Sequence, residues 1–221
     1  MKALLIKDWK LFMSQKQFFL ITVVIVGAFL FSAKNPAFVV SYATIMYTVF
    51  TISTISYDDY HNGMSFLMTL PVSRKDYVAE KYTFGILMGG GTAVIVVAAT
   101  AAVFKVRNTG LSAEDLLVSV MTGLLVAVFF LSFTIPIQLK FGAEKGRMAL
   151  LAVSMACFVL IMGGAALAKR MGWKGGELGE LFRKIDKAPL GMIIGGLGAG
   201  CVFLLLVSAF ISLRVLVKRE F

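Results

Sequence analysis

The sequence predicts an all-α integral membrane protein, with six transmembrane helices, an N-terminal interfacial helix and both termini cytoplasmic. Three observations predict it. Of the 221 residues, 59% are hydrophobic, and the mean hydropathy is +0.88. Only 15% are charged, where a soluble domain carries about a quarter. The apolar residues fall into six runs, each close to the ~20 residues that a helix needs to cross the hydrocarbon layer. Six runs and their loops use up the 221 residues, so none is left over for a soluble catalytic domain.

Residues 1–17 are too polar to insert and read as a cytoplasmic interfacial amphipathic helix. Leu5, Trp9, Phe12 and Met13 share one face, and Lys7, Lys10, Ser14 and Gln17 another. A Trp at headgroup level opposite lysines suits a helix lying on the membrane; a solvated tail is the alternative. The transmembrane domain follows over 18–213, with spans at 18–33, 37–57, 83–104, 116–139, 148–168 and 190–213. Phe31 is too large for the position three residues before a signal-peptide cleavage point, so the first run is a retained span. Residues 214–221 form a cytoplasmic tail.

Orientation follows from the basic residues. With the N-terminus inside, the inner segments hold thirteen Lys and Arg and the two short outer loops hold three, Lys34, Lys105 and Arg107. The 169–189 loop adds six to the outside, and the bias still favours cytoplasmic termini. In that loop Leu178, Leu181, Phe182 and Ile185 recur at helical spacing among charges. They predict an amphipathic helix on the outer surface, as a cap over a translocation path or as a connector on the headgroups.

Several chemistries find no residues. The span interiors hold no Asp, Glu, Lys, Arg or His, which argues against proton- or ion-coupled transport. There is no HExxH or GxSxG motif, so no catalytic residue is predicted. His61 is the one histidine, and Cys157 and Cys201 both sit in apolar runs. No metal site or disulfide framework is therefore expected. The formal net charge of +10 is spread over the loops; it points to membrane lipids and topology, not to nucleic acid.

Two features of the second span and its loop carry possible function. Ser41, Thr44, Thr48 and Thr51 form a hydroxyl stripe flanked by Tyr47 and Thr54. The stripe suits a translocation path for polar groups, or helix–helix hydrogen bonds of about 1 kcal/mol or less. GxxxG spacings at Gly85/Gly89, Gly191/Gly195 and Gly196/Gly200 suit close helix packing. The segment Asp58 to Tyr82 is longer than a turn requires. In it Met64, Leu67 and Met68 make a short apolar face that ends at Pro71, and Ser73 with Asp76 opens the next helix as a capping-box variant. Such a short helix suits docking into a soluble partner; an interfacial re-entrant segment is the alternative.

The stretch Leu70-Pro71-Val72-Ser73-Arg74-Lys75-Asp76-Tyr77-Val78, with Glu80-Lys81-Tyr82, resembles a signature of ABC-2-type transporter permeases. The chain is similar to the six-span branch that includes the membrane subunits of exporters of phenol-soluble modulins and antimicrobial peptides. The resemblance implies a homo- or heterodimeric permease in a bacterial cytoplasmic membrane, each copy docked on a separate ABC ATPase. It implies a coupling helix at about Asp59 to Leu70, with Asp59, Met64, Phe66, Leu67, Met68, Leu70, Pro71 and Arg74 as coupling residues. The implied substrate is an amphipathic toxin or antimicrobial peptide. Alternatives are drug or lipid efflux, a non-transporting scaffold or immunity protein, and an enzyme acting on lipid headgroups through Asp58, Asp59 and His61. No G-x-x-x-x-G-K-[ST] occurs. The chain therefore binds no cofactor in this reading, and ATP and Mg belong to the partner ATPase.

Overall fold

The computed structural model describes residues 1–32, 35–60, 63–107, 113–170 and 190–219; at 113, 143, 144, 147, 150, 152–154, 156–170 and 190–194 it describes the backbone alone. The described residues form helices α1 (Lys2–Ser14), α2 (Lys16–Ser32), α3 (Pro36–Asp59), α4 (Gly63–Thr69), α5 (Arg74–Val106), α6 (Ala113–Arg170) and α7 (Leu190–Lys218). Local chemistry sets the starts. Asn35 accepts from the Ala37 N–H and Pro36 takes the first position of α3, where its missing N–H costs nothing. Ser73 accepts from the Asp76 N–H, as the capping-box reading expects.

Among the described residues, four segments are long and apolar enough to cross a membrane: α3, α5, Glu114–Gly142 of α6 and Gly195–Lys218 of α7. The pair α1–α2, bent by 69°, makes a fifth if taken as one broken span. The expected span at 148–168 continues α6 as helical backbone, and most of its side chains lie outside the described residues. The outer helix expected around Leu178–Ile185 lies outside them altogether.

Helix α3 packs between α5 and α6. Glycine makes the approach possible. A Cβ on Gly89 would sit 2.9 Å from both Ala127 Cβ and Thr48 Oγ1, and one on Gly123 would sit 2.9 Å from Val40. Gly85 receives Leu131 in the same way. The Gly85/Gly89 spacing is thus a close-packing pair. Among the described residues, no neighbour lies within 4 Å of a Cβ on Gly195, Gly196 or Gly200.

Two residues disturb α6, Pro136 by its missing donor and Gly142 by its backbone angles. Pro136 has no N–H to give the Ser132 carbonyl one turn earlier. In a membrane interior that carbonyl needs another donor. The hydroxyl of Ser208 on α7 supplies it at 2.6 Å. Since that proton is committed, Tyr82 donates to Ser208 at 2.5 Å and accepts from Ser212 at 2.9 Å. At Gly142 the backbone leaves the helix with φ 75° and ψ −175°, a region nearly confined to glycine. A Cβ there would lie 2.6 Å from Asp59 Oδ2. Arg219 seals the break, pairing with Asp59 at 2.7 Å and donating to the Leu139 carbonyl at 3.3 Å.

Gly142→Ala should therefore lower stability by about 1–3 kcal/mol. A lower melting temperature of the detergent-solubilised protein is the expected result. The same change at Gly195 should leave it unaltered.

Candidate functional site

The ends of α3 and α7, the start of α5 and the Gly142 break meet at one end of the bundle, joined by α1 and α4. An apolar cluster that includes Leu4, Ile55, Met64, Tyr77, Leu139 and Leu216 draws on all six of these helices. Around it lies a network of buried polar groups.

Its centre is Lys81, which is 0% exposed. The ammonium lies 2.5 Å from Asp8 Oδ2 on α1 and 2.8 Å from Asp58 Oδ2 on α3, and donates to Thr54 Oγ1 at 3.1 Å. Lys7 pairs with Asp8 Oδ1 at 3.1 Å and with Asp58. The Tyr77 hydroxyl donates to Asp58 Oδ2 at 3.0 Å, and its ring centroid lies 5.1 Å from the Lys81 ammonium. Glu80, also fully buried, places Oε2 3.6 Å from Lys81 without a hydrogen bond. Two ammonium groups thus face three carboxylates. Burial alone would raise the Asp8 pKa, but Lys81 and Lys7 together outweigh it and hold the carboxyl below the ordinary 3.8.

Arg74 extends the junction to α7. Its guanidinium donates to the carbonyls of Leu216 at 3.1 Å and Val217 at 2.7 Å. A cation there satisfies carbonyls that the helix end leaves open and opposes its dipole. Five polar residues of the quoted signature therefore have a structural task. Ser73 caps α5, Arg74 caps α7, Tyr77 and Lys81 hold Asp58 and Asp8, and Tyr82 reaches the serines beside the α6 kink.

A family model described as ABC-2 family transporter protein matches residues 3–216. The chain belongs to the ABC-2 transporter family. Among curated proteins and solved structures nothing matches it. As an ABC-2 permease it is a multi-pass membrane component of a transporter, and the family works with an ABC ATPase subunit.

The expected functional residues of this permease divide sharply. On α4, Met64 and Leu67 are buried in the chain's own core and Met68 packs against it. The apolar face expected to meet a partner is turned inward, because the ends of α3, α5 and α7 offer it apolar neighbours. Phe66 is 69% exposed and Leu70 45%, and Pro71 is exposed beside them. Asp59 holds Arg219 and Arg74 holds α7, so both lock the junction.

The hydroxyl stripe also turns inward. Thr44 and Thr48 are fully buried, and they donate to the Val40 and Thr44 carbonyls at 2.7 and 2.6 Å. Thr48 abuts Gly89, and Thr44 lies 3.2 Å from where a Cβ on Gly123 would sit. Thr51 is buried with no hydrogen-bond partner for its hydroxyl. Ser41 is half-buried, and Tyr47 packs on Phe12 and Phe19 of the α1–α2 pair. On α1 the buried face is Leu4, Asp8 and Phe12, while Trp9 and Met13 are exposed. The sequence reading grouped Phe12 with Trp9 and gave no place to Asp8.

Sequence reasoning missed Asp8, Thr54, Tyr77 and Lys81 as one cluster. The available signal was the spacing of Asp8 from Leu4 and Phe12, one turn each way on a face that is otherwise apolar. Lys81→Met should cost about 3–5 kcal/mol, since it leaves two buried carboxylates short of a partner. Adding Asp8→Asn should recover part of that loss, giving a non-additive cycle in thermal melting. The depressed Asp8 pKa fixes the pH sign. Its contribution is present above pH 3.8 and is lost as pH falls through the lower folded value. Acid titration should therefore destabilise the wild type more than Asp8→Asn.

Proposed function

We propose that the chain is the membrane subunit of a bacterial ABC exporter, dimeric, with both termini in the cytoplasm and a separate ATPase docked at the charged end of the bundle. The observation that carries the reading is the two-faced α4. Its inner face packs on α3 and enters the apolar cluster to which α1, α5, α6 and α7 also contribute, and its outer face offers Phe66 and Leu70. A partner that gripped the outer face would move the inner face and, through it, every helix of the junction. Apolar side chains on an exposed, firmly backed helix are what a groove on a soluble partner needs. ATP and Mg would be held by that ATPase, and this chain would contribute movement.

In this reading Asp59, Arg74, Met64, Leu67 and Met68 transmit force, and Phe66, Leu70 and Pro71 make the contact. The substrate class is an amphipathic toxin or antimicrobial peptide, in keeping with the resemblance to modulin and antimicrobial-peptide exporters. Such a peptide is already stable at the inner acyl boundary, and the charge-free spans suit ATP-driven rather than proton-driven movement. The six-span count and the cytoplasmic charged end complete the proposal, supported by the thirteen basic residues of the inner segments. The buried threonine stripe serves helix packing here.

Phe66→Asp with Leu70→Asp should abolish copurification of the ATPase while leaving membrane insertion and melting temperature intact. Met64→Asp should lower the melting temperature itself. An unchanged complex in the first variant would refute the docking role. Thr51→Val removes a buried hydroxyl without a partner, so export should persist and stability should hold or rise. Cysteines at Asn108 and Lys174 should react with an impermeant thiol reagent on intact cells, and one at Lys145 should not.

A further inference from the structure

Helices α1 and α2 meet at a 69° elbow at Gln15. Between the elbow and α5 lies a groove of about 530 Å³, within the ~300–1,000 Å³ of sites that enclose a small ligand. Trp9 and Phe12 form its α1 wall, Phe19 and Gly27 its α2 wall, and Met88 and Gly91 its α5 wall. Among the described residues nothing fills it at the glycines. No heavy atom lies within 4 Å of where a Cβ on Gly27 or Gly91 would stand. A second hollow of about 430 Å³ continues round the elbow, shares Phe12 and Phe19, and includes Lys16 in its wall. Lys7 is committed to Asp8 and Asp58, whereas Lys16 has no partner among the described residues.

We propose that this elbow groove is a binding site for an anionic phospholipid, with an acyl chain along the apolar walls and the phosphate on Lys16. The apolar walls give no preference between lipids, because a tail leaves one hydrocarbon surrounding for another. Selection comes from the cation beside the groove. The formal net charge of +10 favours an anionic occupant over a second copy of the same chain. The site stands independently of the exporter reading, since it invokes neither ATPase nor exported substrate.

Trp9 provides the probe, because it lines the groove and the chain has two tryptophans. In a Trp173→Phe background, the protein is placed in phosphatidylcholine vesicles holding a small fraction of phospholipid brominated on its acyl chains, which quenches Trp on contact. Brominated phosphatidylglycerol should quench Trp9 about fivefold more effectively than brominated phosphatidylcholine at equal fraction, the worth of one basic residue beside an anionic headgroup. Lys16→Gln should abolish the preference. Gly27→Leu and Gly91→Leu fill the groove from opposite walls and should each abolish it too. Gly195→Leu, at an open position on α7, should keep it. Equal quenching by both lipids in the parent protein would overturn the proposal. So would a preference that survives both groove-filling variants, which would reduce it to a surface charge effect. Shielding of Trp9 at higher protein-to-lipid ratio, without lipid preference, would assign the groove to a second copy. Shielding by an added amphipathic peptide, again without lipid preference, would assign it to substrate.

Discussion

The junction depends on a single ammonium group kept out of water. Lys81 is paid for by Asp8 and Asp58, which come from helices far apart in sequence. A buried cation of this kind is not a source of net stability, because desolvation offsets most of the Coulomb attraction. Its effect is on specificity. Any arrangement in which α1 slides, or α3 rotates, leaves a charge buried and unpaired. The apolar cluster of Leu4, Ile55, Met64, Tyr77, Leu139 and Leu216 supplies the burial, and the ion cluster restricts the geometries in which that burial is tolerated.

The spans were legible because membrane helices are defined by length and hydropathy, both local properties. The four segments long and apolar enough to cross fall on four of the expected runs. The capping of α5 by Ser73 was equally local. The interior of the junction was not. Lys81 reads in sequence as one more basic residue of a cytoplasmic loop, and Asp8 as a charge on a polar helix. Only the meeting of α1, α3 and α5 buries them. The threonine stripe had the same limit, since spacing of three and four fits a path and a packed seam alike. In the structure Thr48 abuts Gly89 and Thr44 lies beside Gly123, a pairing that is a long-range fact.

The short helix α4 shows how one amphipathic pattern can mislead. Periodicity identifies an apolar face but not its audience. Here that face lies against the chain's own bundle, and the solvent side keeps Phe66 and Leu70. A helix of seven residues is too short to hold its shape unaided. Its rigidity is borrowed from Met64 and Leu67.

The position of Lys81 also constrains biosynthesis. Asp8 lies on α1, and its partner Lys81 on α5 is made more than seventy residues later. Until α5 is in place, the Asp8 carboxylate has only Lys7 of its own helix beside it, a cation that is itself partly exposed. Full burial of Asp8 therefore waits for α5, the second of the four long apolar segments of the described residues.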